Sequence, residues 1–257
     1  MAGRIDRYLE RLHMQKVQAR WAEVAAEATV MEPAALRAWR GKARAMRREI
    51  ERLIHVADHR LAMPSSGTGL PRQPMGTDWA WRPDVWRGPV PDGGAAVIAT
   101  RTPVSEDVTL YHDCTAPEAV VRQVRNRDEA DLAPFGLFAE MFGFDGSFLS
   151  LATNLPDAAV AGLRLRHLIR LQVVIDAERP VEAFARLNIK HGPNVEQLVR
   201  ELPKDGRAKM VEFDLAYAKI DEKRIEKLWL DLIFEKPAMT GITLRDVTLS
   251  RRPRAEL

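Results

Sequence analysis

The sequence predicts a mainly β protein: an antiparallel β-sandwich of jelly-roll type with an α-helical hairpin at its N-terminus. Three observations predict it. Near the C-terminus, Val211, Phe213, Leu215 and Tyr217 fall on one side of a period-two pattern, with Glu212 and Asp214 on the other. Leu228, Leu230, Leu232 and Phe234 do the same against Asp231 and Glu235. Such alternation marks strands with one face in a core and one in water. Second, about ten β-type segments recur from residue 95 onward at intervals typical of a sandwich or jelly roll. Third, residues 1–63 repeat apolar side chains at the three- and four-residue steps of a helix.

In chain order, Ile5, Tyr8, Leu9, Leu12, Val17, Trp21, Val24 and Ala28 set the first helix. Pro33 suits the first turn of a second, which runs through Leu36, Trp39, Met46, Ile50, Leu53 and Leu61 and ends before Pro64. The stripe is narrow and rich in Ala, so the hairpin is expected to pack on the sandwich or, as in a coiled coil, on a copy of itself. Residues 64–94 form a proline-rich segment that disfavours helix and central strand alike. It carries three of the six tryptophans and is read as a linker packed on the sandwich. The sandwich then fills 95–257. Its β-type segments include 95–100, 107–113, 120–126, 137–145, 147–155, 167–178 and 181–192, and Asp145-Gly146 reads as a tight hairpin between two of them. In the last segment Ile242 and Leu244 are out of phase with Val247 and Leu249, which places a β-bulge near Arg245-Asp246.

Composition excludes several classes of function. A chain 46% hydrophobic and 29% charged is not mostly disordered. The single cysteine, Cys114, excludes an intramolecular disulfide and a Cys-based zinc site. The charged first residues lack a secretory h-region, and no apolar run is long enough to span a bilayer. The default compartment is therefore the cytoplasm, or a released particle. Up to Met63 there are thirteen Lys and Arg against eight acids, a net +5 beside a chain total of +3, so the basic character belongs to the helices alone. Acids interleave with these bases and no DNA-binding motif is visible, which argues against nucleic acid as a partner.

Catalytic signatures are absent: there is no phosphate-cradling glycine loop, no zinc-ligand spacing and no GxSxG elbow. In Tyr111-His112-Asp113-Cys114, strand neighbours point to opposite faces, so His112 and Asp113 do not converge, and Cys114 reads as a buried inert thiol. The acids Glu212, Asp214, Asp231 and Glu235 read as charges on a solvated face that discourage edge pairing. Two sets suit a saccharide. Trp79 and Trp81, on one side of an extended chain, with Trp86 and Arg82, could form a stacking platform. Arg186, Asn188, Lys190, His191 and Asn194 cluster donors at one edge of the sandwich. Asp246, beside the bulge, is a candidate ligand for a hard cation. No cofactor is implied.

The ending EKLWLDLIFEKPAMTGITLRDVTLSRRPRAEL resembles the closing strands of galactose-binding-like jelly rolls, the fold of many non-catalytic carbohydrate-binding modules. Ile242, Leu244, Asp246, Val247 and Leu249 occupy the I-x-L-x-D-V-x-L pattern. The segments GTDWAWRPDVWRGP, FGFDGSFLSLATNLP and ARLNIKHGPNVEQLVRELP are similar to an uncharacterised alphaproteobacterial domain of unknown function, with likeness over most of 75–257. The leading expectation is a non-catalytic sandwich that binds a cell-surface or capsular polysaccharide. The alternatives are a structural or attachment component, such as the spike of a phage-like particle or gene transfer agent, and a polysaccharide-active enzyme on the same scaffold. Self-association or assembly would run through residues 1–63.

Overall fold

The computed structural model of the chain describes residues 2–62, 73–90, 94–96, 98–128 and 130–254. It divides into two compact units, Met1–Val56 and Ala57–Leu257. The first holds the helical hairpin of α1 (Ala2–Glu27) and α2 (Pro33–Ala62), apart from the last residues of α2. Pro33 opens α2, where its missing N–H costs nothing, and the Glu32 carboxylate accepts from the free backbone N–H groups of Ala34 and Ala35. Beside the turn, Trp21 meets Trp39 edge-on at 5.5 Å and Val24 is buried.

The second unit is the sandwich. Its elements are β1 (Trp79–Trp81), α3 (Asp84–Arg87), β2 (Gly94–Ala96), β3 (Arg101–Pro103), β4 (Val108–His112), β5 (Ala119–Arg125), β6 (Phe135–Met141) and β7 (Phe148–Asn154). They continue with α4 (Asp157–Val160), β8 (His167–Ala177), β9 (Ala183–His191), β10 (Asn194–Glu201), β11 (Ala208–Asp214), β12 (Ile225–Glu235) and β13 (Thr240–Pro253). All pairings are antiparallel. One sheet has the order β11-β8-β13-β6-β5-β2, with β1 added beside β13; the other runs β10-β9-β12-β7-β4-β3. The inward sides of both are the apolar halves of the alternating patterns. Leu228, Leu230, Leu232 and Phe234 of β12 face Leu171 and Val173 of β8 and Val247 and Leu249 of β13 in one continuous core.

The bulge is where the phase shift puts it. In the pairing of β13 with β8, Leu244 faces Ile175 and Asp246 faces Val174, so Arg245 is the extra residue. Before it, β13 pairs with β6; after it, with β1. A bulge releases ladder carbonyls, and both of these find donors. Trp86 Nε1 donates to the Leu244 oxygen at 2.9 Å, and Asn126 Nδ2 donates to the Arg245 oxygen at 2.8 Å. Gly136 is needed here for its size, because a Cβ would come within 2.9 Å of the Leu244 oxygen.

Three expectations are corrected. Asp145-Gly146 does not close a hairpin: β6 and β7 lie in opposite sheets. Instead the Asp145 carboxylate accepts from Cys114 Sγ at 2.7 Å and from the Thr115 backbone N at 2.9 Å, while Asp113 accepts from the Ser147 and Phe148 nitrogens. The turn residues are thus spent on an arch between the sheets. The β11 alternation breaks after Asp214, whose side chain accepts from Ala216 N and starts a 3-10 turn. Leu215 stays buried, but Tyr217 is exposed. Third, β12 is a central strand between β9 and β7, so its acids guard no edge. The periodicity also missed β1, β3 and β10. The first two span only three residues each, and the few apolar side chains of β10, Val195, Leu198 and Val199, do not alternate along its largely exposed length.

Candidate functional site

An open groove of about 1000 Å³ crosses the outward face of the β10-β9-β12-β7-β4-β3 sheet. The registers explain its shape. One row across the sheet runs Asn188, Trp229, Asn154; the next runs Arg186, Asp231, Ala152, Thr109; the third runs Ile233, Ser150, Tyr111. The small side chains of Ala152, Ser150 and Thr109 make the floor low, while Trp229 bounds it on one side and Tyr111 and Phe148 on the other. Trp229 is half-buried and Tyr111 is exposed, so both present ring surface to the groove.

Asp231 is the polar centre of this floor. It is 5% exposed, and its Oδ2 accepts from Arg186 Nε at 2.9 Å and from Asn188 Nδ2 at 2.8 Å. Arg186 Nη2 lies 2.9 Å from the same oxygen, and Gln197 steadies Asn188 through its Oδ1 at 3.0 Å. All of these donors converge on Oδ2, which leaves Oδ1 as an acceptor for the groove. A buried carboxylate persists only when paired in this way. Around the rim stand Lys190, Lys227 and Lys236. Lys190 pairs with Glu226 at 2.7 Å, and its ammonium holds the Glu226 carboxyl below the usual value. Lys227 and Lys236 have no partner among the described residues. The backbone of Lys236 has a φ of 44°, a conformation uncommon outside glycine, and its N–H bonds to the Ser147 oxygen at 3.0 Å.

The two saccharide sets read from the sequence separate. Of the second, Arg186 and Lys190 line the groove and Asn188 supports it from beneath. His191 is buried, its Nδ1 accepting from Asp221 N at 3.3 Å, and Asn194 follows a two-residue Gly-Pro turn outside the groove. Gly192 takes φ +57 in that turn, as tight hairpins require. The tryptophan set belongs to the other sheet. Trp79 and Trp81 are stacked at 6.5 Å and sit opposite Arg251 and Leu249, on the core side of β13. Trp86 is fully buried. Arg82 is buried too, in a two-pronged pair with Asp246 at 2.8 and 2.7 Å. Arg82 and Trp86 therefore hold the chain to the bulge and offer nothing to a ligand. The same pair corrects the cation reading of Asp246, since both of its oxygens are occupied by the guanidinium. In the Tyr111-His112-Asp113-Cys114 run, Cys114 and His112 are buried, with Cys114 N donating to His112 Nδ1 at 3.2 Å.

Sequence reasoning missed Trp229, Asp231, Tyr111 and Phe148 as groove residues. Trp229 had a signal. On the outward side of its strand, among Lys227, Asp231 and Glu235, a tryptophan has no core to fill. Asp231 had none, because an outward acid on a central strand and one on an edge look alike in the alternation.

The likeness read over 75–257 extends further, to a family model that matches residues 1–257. The chain belongs to DUF6478, a family of unknown function. Among curated proteins nothing matches this family member. Several solved structures are similar at low identity. The family 11 carbohydrate-binding module from Clostridium thermocellum, in complex with a β-1,3-1,4-mixed-linked tetrasaccharide, has 14% identity and a TM-score of 0.38, covering 64% of this chain and 98% of its own. TmCBM61, in complex with β-1,4-galactotriose, has 14% identity and a TM-score of 0.34, with coverage of 56% and 88%. The enzymatically active domain of bacteriophage CBA120 tailspike protein 4 has 6% identity and a TM-score of 0.39 over 56% of this chain, and the match spans 19% of the tailspike chain. Likenesses at this level decide nothing about a ligand here.

Proposed function

We propose that the groove binds a polysaccharide chain without cleaving it. The observation that carries this reading is the half-buried Trp229 ring beside the Asp231–Arg186 pair, on the floor of a groove open along the sheet. A pyranose has an apolar C–H face and a rim of hydroxyls. An aromatic ring meets the first, and a fixed carboxylate oxygen with a neighbouring guanidinium meets the second. An open trough, unlike a closed cavity, takes a chain that continues beyond the site. The unpaired Lys227 and Lys236 favour a chain bearing carboxylates or sulfates, such as a capsular or cell-surface polysaccharide.

Glycoside cleavage needs two carboxyl groups roughly 5–10 Å apart across the scissile bond. The groove carboxylates are Asp231 and Glu235, four residues apart on one strand and therefore about 13 Å apart along it. Asp231 is moreover locked to Arg186 and Asn188 as a structural acceptor. This spacing supports the reading of binding without turnover.

The test is affinity electrophoresis against neutral and acidic polysaccharides. The expected result is retention of the wild type by at least one of them, lost in Trp229→Ala with an unchanged melting temperature. If no polysaccharide retains the wild type, or Trp229→Ala is retained equally, the groove is not a glycan site.

A further inference from the structure

We propose that α2 is a docking face for an anionic lipid surface. From Pro33 to Arg48 the helix carries six cations, Arg37, Arg40, Lys42, Arg44, Arg47 and Arg48, and no acid. At 3.6 residues per turn, the five arginines fall along one flank. Leu36, Trp39, Ala43, Met46, Ile50 and Leu53 follow one another at alternating steps of three and four, and so form a neighbouring stripe. Arg37, Arg40, Arg44 and Arg48 are exposed and have no hydrogen bond or ion pair among the described residues. Trp21 closes over Trp39, and the stripe is open on either side of that contact, at Leu36 (39% exposed) and further along the helix. Met46 is 44% exposed, Ile50 48% and Leu53 68%.

Charge complementarity selects the occupant. A second copy would bring a second arginine flank against the first, and repulsion opposes that pairing. Nucleic acid would satisfy the arginines but has no use for Met46, Ile50 and Leu53. A bilayer surface with anionic headgroups satisfies both at once. Apolar side chains enter the boundary between headgroups and acyl chains, while the arginine stems lie along it and their guanidinium groups reach phosphates. The helix would lie in the surface and not cross it: no helix among the described residues is long and apolar enough to span a membrane. This reading is independent of the groove.

The experiment is co-sedimentation of the full chain with vesicles in low-salt buffer. One set is phosphatidylcholine alone, and the other is an equimolar mixture of phosphatidylcholine and phosphatidylglycerol. The chain is expected to sediment with the anionic vesicles only and to be released by salt. Replacing Arg37, Arg40, Arg44 and Arg48 together by Gln should lower partitioning at least about tenfold, since each basic residue near such a surface contributes measurably. The double variant Ile50→Gln, Leu53→Gln should lower it comparably. Gln is a good helix former, and these positions are exposed, so helicity by circular dichroism should not change. No sedimentation of the wild type overturns the proposal. So does binding to a DNA duplex that matches vesicle binding in strength and is, like it, indifferent to Ile50→Gln, Leu53→Gln; that pattern would assign the arginine flank to nucleic acid. A dimer that Ile50→Gln, Leu53→Gln dissociates while vesicle binding is unchanged would assign the stripe to a second copy and overturn it equally.

Discussion

Arg82 and Trp229 show how little residue type says about role until the neighbours are known. Arg82, in a loop-like stretch rich in tryptophan, is buried against Asp246 at 2.7 Å. Breaking one partner of a buried pair leaves the other charge without compensation, at a cost of about 3–5 kcal/mol. Arg82→Ala is therefore expected to lower unfolding free energy in urea by that amount. Arg82→Lys should rescue little of it, because an ammonium cannot reproduce the two-pronged contact. A loss under about 1 kcal/mol for Arg82→Ala would contradict the buried geometry. Trp229 is the opposite case. It stands outward on a strand whose inward side is complete, so its removal should leave stability nearly untouched and act on binding alone.

Among elements, β12 and β13 were the most legible and the most misread. The alternation of Leu228, Leu230, Leu232 and Phe234 correctly assigned the inward side of β12, where Leu230 is fully buried. Leu230→Ala should cost about 2–5 kcal/mol in urea unfolding, and a smaller loss than that of an exposed outward variant such as Glu235→Gln would refute the packing. The phase change in β13 placed the bulge near Arg245-Asp246, where the register shifts. It could not show what the bulge is for: one strand serves two partners, and the freed carbonyls of Leu244 and Arg245 anchor Trp86 and Asn126. Those bonds join residues far apart in the chain, and no local pattern encodes them. The Asp145-Gly146 error has the same origin. A dipeptide suited to a tight hairpin was used to turn between sheets, because Asp113 and Asp145 find donors on the opposing loop segments.

For the molecule as a whole, acid sensitivity sums these contacts with a definite sign. Burial pushes the His167 imidazole below its ordinary value of 6.5, with Asp78 opposing. The unfolded chain therefore takes up that proton first, and stability falls as pH drops below 6.5. Asp113, through Ser147, and Asp145, through Cys114 and Thr115, are held below the ordinary 3.8, Asp145 at about 2. Their contribution is present above 3.8 and is lost as pH falls toward 2. Burial raises Asp107, which acts in the opposite sense just above 3.8. Thermal melts across pH should thus show a shallow decline below 6.5 that disappears in His167→Gln, then a steeper one below about 4. A decline of equal slope in His167→Gln would remove His167 from this account. What the sequence determined by itself is everything carried by local periodicity: the helical hairpin and its charge, the β-rich remainder, the inward faces and the bulge. Which strands share a sheet was decided only by the tertiary structure, and with it which outward faces meet. Strand pairing is a relation between distant segments, and a period-two pattern is the same whichever neighbour a strand takes. Trp229, Asp231, Ser150 and Tyr111 come from three strands far apart in the chain, and only the order β9-β12-β7-β4 makes them one groove.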